Sequence, residues 1–150
     1  MLMQLLNNHP LMAALCASVI AQVLKVIIEF ATDRRLDLRR LLDTGGMPSA
    51  HSAAVSALAC GMGLEFGFAS PLFAITAVFG YLVMYDATGI RRAAGVQAQL
   101  INELVDELNH LFNDGFQPQV LKTLLGHTYP QVGVGLVLGI LTGILVHTFA

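Results

Sequence analysis

The 150-residue chain is 55% hydrophobic and only 12% charged, with a mean hydropathy of +0.68, whereas about a quarter of the residues of a typical soluble domain are charged. A net charge of −2, no Trp and 7% aromatic residues leave no basic or stacking surface for a nucleic acid. The two cysteines, Cys16 and Cys60, lie in apolar runs without metal-ligand spacing and read as small buried hydrophobes.

A short polar lead ends at Pro10, and a first apolar stretch follows. The predicted spans cover about 11–30, 50–68, 70–86 and 132–149, each close to the roughly 17 to 25 residues that a helix needs to cross a bilayer. None has a polar face. The first stretch has no basic residues before it and carries Lys25 at its far end, so it reads as a retained span and not as a cleaved leader.

Between the first two spans runs "ATDRRLDLRRLLDTGG", residues 31–46, a charged surface segment. Its Arg34, Arg35, Arg39 and Arg40 suit anchoring to anionic headgroups. The cytoplasmic segment 87–131 holds Val96, Leu100, Leu104, Leu108 and Leu111 at helical spacing, with Gln97, Asn102, Glu103, Asp106 and Glu107 on the other face. That is an amphipathic helix; its acidic face favours packing over the bundle rather than on anionic lipid. "NDGFQP", residues 113–118, breaks it, and a short helix is expected over Gln119–Leu125. The last span carries Gly135, Gly139 and Gly143, a small-residue ridge for close helix packing within the chain or between two chains.

All Lys and Arg residues are Lys25, Arg34, Arg35, Arg39, Arg40, Arg91, Arg92 and Lys122. They gather at the connections after the first and third spans, which four spans place on one side, the cytoplasmic one by the positive-inside rule. The expected architecture is all-α: residues 1–150 form a single integral membrane helical bundle of about four transmembrane helices plus a cytoplasmic amphipathic helix.

This topology gathers the polar motifs at one depth: Lys25, "GGMPSAHS" (45–52), "DATGIRR" (86–92) and "KTLLGHTYPQ" (122–131). The groups suit a phosphate. A helix N-terminus binds anions; Gly45 and Gly46 permit close backbone approach, Pro48 suits a helix start, and Ser49 and Ser52 offer further donors. Lys25, Arg91 and Arg92 are cations for phosphoryl oxygens. His51 and His127 each follow a loop at a helix start and suit a nucleophile and a proton donor. His9, His110 and His147 lie outside the gathering. No carboxylate or Cys cluster accompanies the histidine pair, so no metal and no cofactor is expected.

"GGMPSAHSA", "YDATGIRRAAGVQAQLIN" and "LKTLLGHTYPQVGVGLVLG" resemble the divergent PAP2 family, small bacterial and plant membrane proteins related to the PAP2 lipid phosphatases and vanadium haloperoxidases. The resemblance implies a PAP2-like core, a bacterial inner (plasma) membrane location, and hydrolysis of a lipid phosphate or pyrophosphate through a metal-free phosphohistidine. It makes His127 the nucleophile, His51 the acid and Lys25 the first-motif lysine, with Pro48 and Ser49 in the second motif; from the residues themselves, Gly45, Gly46, Ser49, Ser52, Arg91, Arg92 and Lys122 are expected to hold phosphate. Gln131 stands where the superfamily has the aspartate that orients the nucleophilic histidine, so Asp86 is expected to take over that role. The arginine that the superfamily places before that histidine is absent, and its guanidinium would come from Arg91 or Arg92, with Lys122 the nearest cation in sequence. The core of the superfamily has more helices than four, which leaves completion of the bundle to the amphipathic helix or to a second copy. Two alternatives remain at this stage: a binding or regulatory protein that has lost turnover, and a small transporter of a phosphorylated lipid.

Overall fold

The computed structural model describes residues 2–34, 46–112, 120–121, 123 and 126–149. The helices are α1 (Leu2–Leu6), α2 (His9–Asp33), α3 (Ala50–Phe66), α4 (Pro71–Thr88), α5 (Ile90–Phe112) and α6 (Tyr129–Phe149), with no strand among the described residues. Their starts follow from capping side chains. Asn8 accepts the Leu11 N–H at 3.1 Å and Ser70 accepts the Phe73 N–H at 3.2 Å, each satisfying a donor that the first helical turn leaves without an intrahelical partner. Pro10 and Pro71 sit in first turns, where a missing N–H costs nothing.

Side-chain sizes are arranged inside out. The buried core is Ala13, Ala17 and Ala21 of α2 with Ala50, Ala53 and Ala57 of α3. The large apolar side chains of the outer helices, such as Val19, Val23 and Ile27 of α2, Ile75 and Val78 of α4, and Val137, Leu141 and Ile144 of α6, are exposed. Water would not tolerate so large an apolar surface; hydrocarbon does, and it leaves close packing of small residues to hold helices together.

The α6 glycines realise that packing. A Cβ on Gly135 would stand 2.5 Å from the Ser49 carbonyl oxygen, one on Gly139 would run into the Ala53 carbonyl oxygen, and one on Gly143 would lie 2.9 Å from Cys60 Cβ. The α3 and α6 backbones therefore touch along three turns, and α3 is flanked by α2, α4 and α6.

Three helical runs are long and apolar enough to cross a membrane: α2, the run from α4 into α5, and α6. The expected fourth span corresponds to α3, which at 17 residues is shorter than the stretch 50–68 because Gly67, with φ +87°, ends it.

Two expectations for the polar segment are corrected. The apolar stripe of α5 (Val96, Leu100, Leu104 and Leu108) is exposed, and α5 meets α4 alone among the described helices, so it does not cover the bundle. Gly95 and Ala98 are its buried positions instead. The short helix over Gln119–Leu125 is absent at the described residues 120, 121 and 123; the Leu121 N–H and C=O are both taken by the Asn102 side chain. Gly45, Arg35, Arg39, Arg40 and Lys122 lie outside the described residues.

Candidate functional site

Ser49 is the N-cap of α3, its Oγ accepting the Ser52 N–H at 3.3 Å and the Ser52 hydroxyl at 3.0 Å. Pro48 precedes this cap and is fully buried. His51 follows in the first turn of α3, at a position where the helix leaves backbone N–H groups without helical acceptors. The Ser49 N–H donates to the Gln131 carbonyl at 3.1 Å, which locks the start of α3 to the start of α6.

His127 lies just before α6. Its backbone N–H donates at 2.9 Å to the carbonyl of Ala87, one of the last-turn carbonyls that the end of α4 leaves unpaired. Its ring Nδ1 lies 3.3 Å from Gln131 Oε1, and the same oxygen accepts the Thr128 N–H at 3.0 Å. A backbone N–H requires an acceptor, so this second bond establishes that the Gln131 oxygen, not its NH₂, faces the histidine. A proton on Nδ1 satisfies this contact, and in the neutral ring it leaves the lone pair on Nε2.

Burial, with His127 only 4% exposed, pushes its pKa below the usual histidine value. The nearby charges of Lys25 and His51 act in the same direction, while the Gln131 side chain and the Gly46 carbonyl, acceptors for the protonated ring, oppose it. The ring is therefore neutral at neutral pH.

Lys25 comes from α2 and is 5% exposed. Its stem runs along Gly46, whose φ is +91° and where an added Cβ would stand 3.2 Å from Lys25 Cδ. One glycine thus admits both the left-handed backbone and the lysine.

His51, Asp86 and His127 line one cleft of about 250 Å³ with Phe79, Leu82, Val83, Ala87 and Gly126. Spacing by i, i+3, i+4 and i+7 puts Phe79, Leu82, Val83 and Asp86 on one face of α4. The cleft is polar toward the histidines and apolar along α4, and Phe79 and Leu82, 54% and 56% exposed, carry that apolar wall to the outer surface.

Of the residues singled out in the sequence, His51, Asp86 and His127 share this cleft, with Lys25 and Gly46 against His127. The partner at Nδ1 is Gln131, where the sequence suggested Asp86. Ser49 and Ser52 are fully buried and engaged in capping α3. Arg92 is exposed; Arg91 occupies the first turn of α5, on the register of Gly95, Ala98 and Asn102. Asn102 was missed, because helical periodicity assigned it to a solvent face; its place at the end of the motif "YDATGIRRAAGVQAQLIN" was the one available signal. Among the described residues no three His, Cys, Asp or Glu side chains gather to hold a metal ion.

The sequence profile of the divergent PAP2 family matches residues 6–142. The uncharacterized membrane protein YuiD of Bacillus subtilis (strain 168) is 45% identical over 156 residues, covering 98% of this chain and 99% of that protein. No solved structure matches the chain. The motifs that build the cleft all fall inside the matched region, and the chain belongs to the divergent PAP2 family of membrane proteins.

Proposed function

We propose that the chain hydrolyses a lipid phosphate or pyrophosphate at this cleft through a phosphohistidine intermediate. The observation that carries the reading is the proton assignment at His127: Gln131 holds Nδ1–H and leaves the other ring nitrogen as a nucleophile, in one cleft with a second histidine. In the first step Nε2 attacks phosphorus, the N–P bond forms, and the P–O bond to the leaving group breaks. His51 gives its proton to the leaving oxygen. In the second step water attacks the same phosphorus, His51 takes the water's proton, the N–P bond breaks, and inorganic phosphate leaves.

Lys25 and the first-turn N–H groups of α3 neutralise the phosphoryl oxygens. Asp86 shares the cleft with His51 and places a carboxylate on its α4 side. Arg91 and Arg92, at the start of α5, are the candidate guanidinium donors. In this reading four spans cross the membrane, α3 among them, and the basic connections and the cleft face the cytoplasm.

The test is phosphate release from a panel of lipid phosphates by purified protein, wild type beside His127→Ala, with and without vanadate. Release that vanadate inhibits and the substitution abolishes is the expected result. A neutral amide at residue 131 favours a second reading, in which the cleft binds a phosphorylated lipid without turnover. Saturable binding without release from any lipid would select it and discard the hydrolase.

A further inference from the structure

Asn102 is fourteen residues beyond Thr88, the end of α4, yet it bears on the segment that carries His127. Its Nδ2 donates to the Leu121 carbonyl at 2.9 Å, and its Oδ1 accepts the Leu121 N–H at 3.0 Å. One carboxamide thus satisfies both backbone groups of one residue, as a neighbouring strand would. Along α5, Gly95 and Ala98 are buried on the register that Asn102 continues, opposite the exposed stripe of Val96, Leu100 and Leu104.

Leu121 and His127 are each held by the α4–α5 pair. Asn102 of α5 fixes Leu121, and Ala87 of α4 fixes the His127 N–H. The ring itself is held from the other side by Gln131 of α6. Removing the Asn102 contacts releases the Leu121 backbone six residues before His127 and leaves the histidine held by Ala87 and Gln131 alone.

We infer that Asn102 is a positioning residue: by clamping the Leu121 backbone it keeps His127 buried and aligned on Gln131 in the cleft. This rests on His127 being the working group of the cleft, and the experiment separates the two ideas by using a chemical readout that needs no turnover.

The full-length protein in lipid nanodiscs is treated with diethyl pyrocarbonate at pH 7, and modification of each histidine is followed by mass spectrometry. His127 is buried and His51 is exposed, so His51 is the internal reference. Asn102→Ala is expected to raise the His127 labelling rate at least about fivefold relative to His51, the scale set by losing two hydrogen bonds. Amide exchange at Leu121 should accelerate with it. Asn102→Asp keeps an acceptor for the Leu121 N–H and loses the donor, so it should fall between the two.

Unchanged His127 labelling in a helical, folded Asn102→Ala protein would overturn the proposal. If that variant does not fold, wild-type labelling of His127 in Asn102→Asp overturns it equally. Where the wild type releases phosphate, Asn102→Ala should lower kcat and leave KM near its wild-type value. A wild type that hydrolyses nothing defeats the phosphatase reading, while the labelling still decides the role of Asn102.

Discussion

Gln131 stands one helical turn after His127 and puts the same Oε1 on the His127 ring, at 3.3 Å, and on the Thr128 N–H, at 3.0 Å. Its backbone carbonyl meanwhile accepts from Ser49. A neutral residue thus sets the histidine's proton and joins two helices, but it supplies no charge to an imidazolium.

The isosteric Gln131→Glu should therefore raise the His127 pKa, since a carboxylate favours the charged ring, and under the proposed mechanism should quicken phosphohistidine formation. Gln131→Leu removes the acceptor, and hydrolysis should fall about 10²-fold, within the range of a positioned proton-transfer partner. Histidine titration by NMR and single-turnover rates check the pair.

His127 also links pH to stability. Its folded pKa is depressed, chiefly by burial, so the stabilisation is present above the unfolded histidine value near about 6.5 and is lost as pH falls through the lower folded value. Thermal unfolding should shift down in that acid window. Lys25→Met removes a cation that depresses the ring, so it should raise the His127 pKa and narrow the window.

Gly46→Ala should destabilise by about 1–2 kcal/mol for the left-handed backbone alone. It should also weaken vanadate binding, because the new Cβ would press on Lys25 Cδ from 3.2 Å. Isothermal titration with vanadate beside a melting curve separates the two effects.

Ser49→Ala tests the serine's place. A phosphate donor would lose ligand affinity on truncation, whereas a cap would lose about 1 kcal/mol of stability. The Ser49 oxygen is occupied by Ser52, so stability should fall and vanadate affinity should hold.

Gly139→Leu should separate α3 from α6, since even a Cβ there meets the Ala53 carbonyl oxygen. A cost of about 1–3 kcal/mol is expected, while Leu141→Ala on the exposed side of the same helix should cost far less. Unfolding in mixed micelles compares them.

Much of this was legible in the residues. Apolar runs interrupted by clustered cations point to the helices, and His51, His127, Lys25 and Asp86 stand out because each is a polar group at the edge of an oily run; the structure brings them to one place. Ser49 was ambiguous for a physical reason: the oxygen that caps a helix is the same group that would hold a phosphate. Asn102 was hidden because a 3.6-residue period sorts side chains into faces without saying which faces are covered. The exposed stripe on α5 escaped for the same reason.

The glycine ridge has one more consequence. Since α3 and α6 meet through backbone atoms, and Ser49 and Gln131 close their common end, the histidines ride on a block with no slack between its two parts. The wall opposite, Phe79, Leu82 and Val83, belongs to α4, which is tied to that block by the backbone bond between the His127 N–H and the Ala87 carbonyl. An outward movement of α4 therefore draws on the His127 backbone as well, so widening the cleft at that end also moves one of its own histidines.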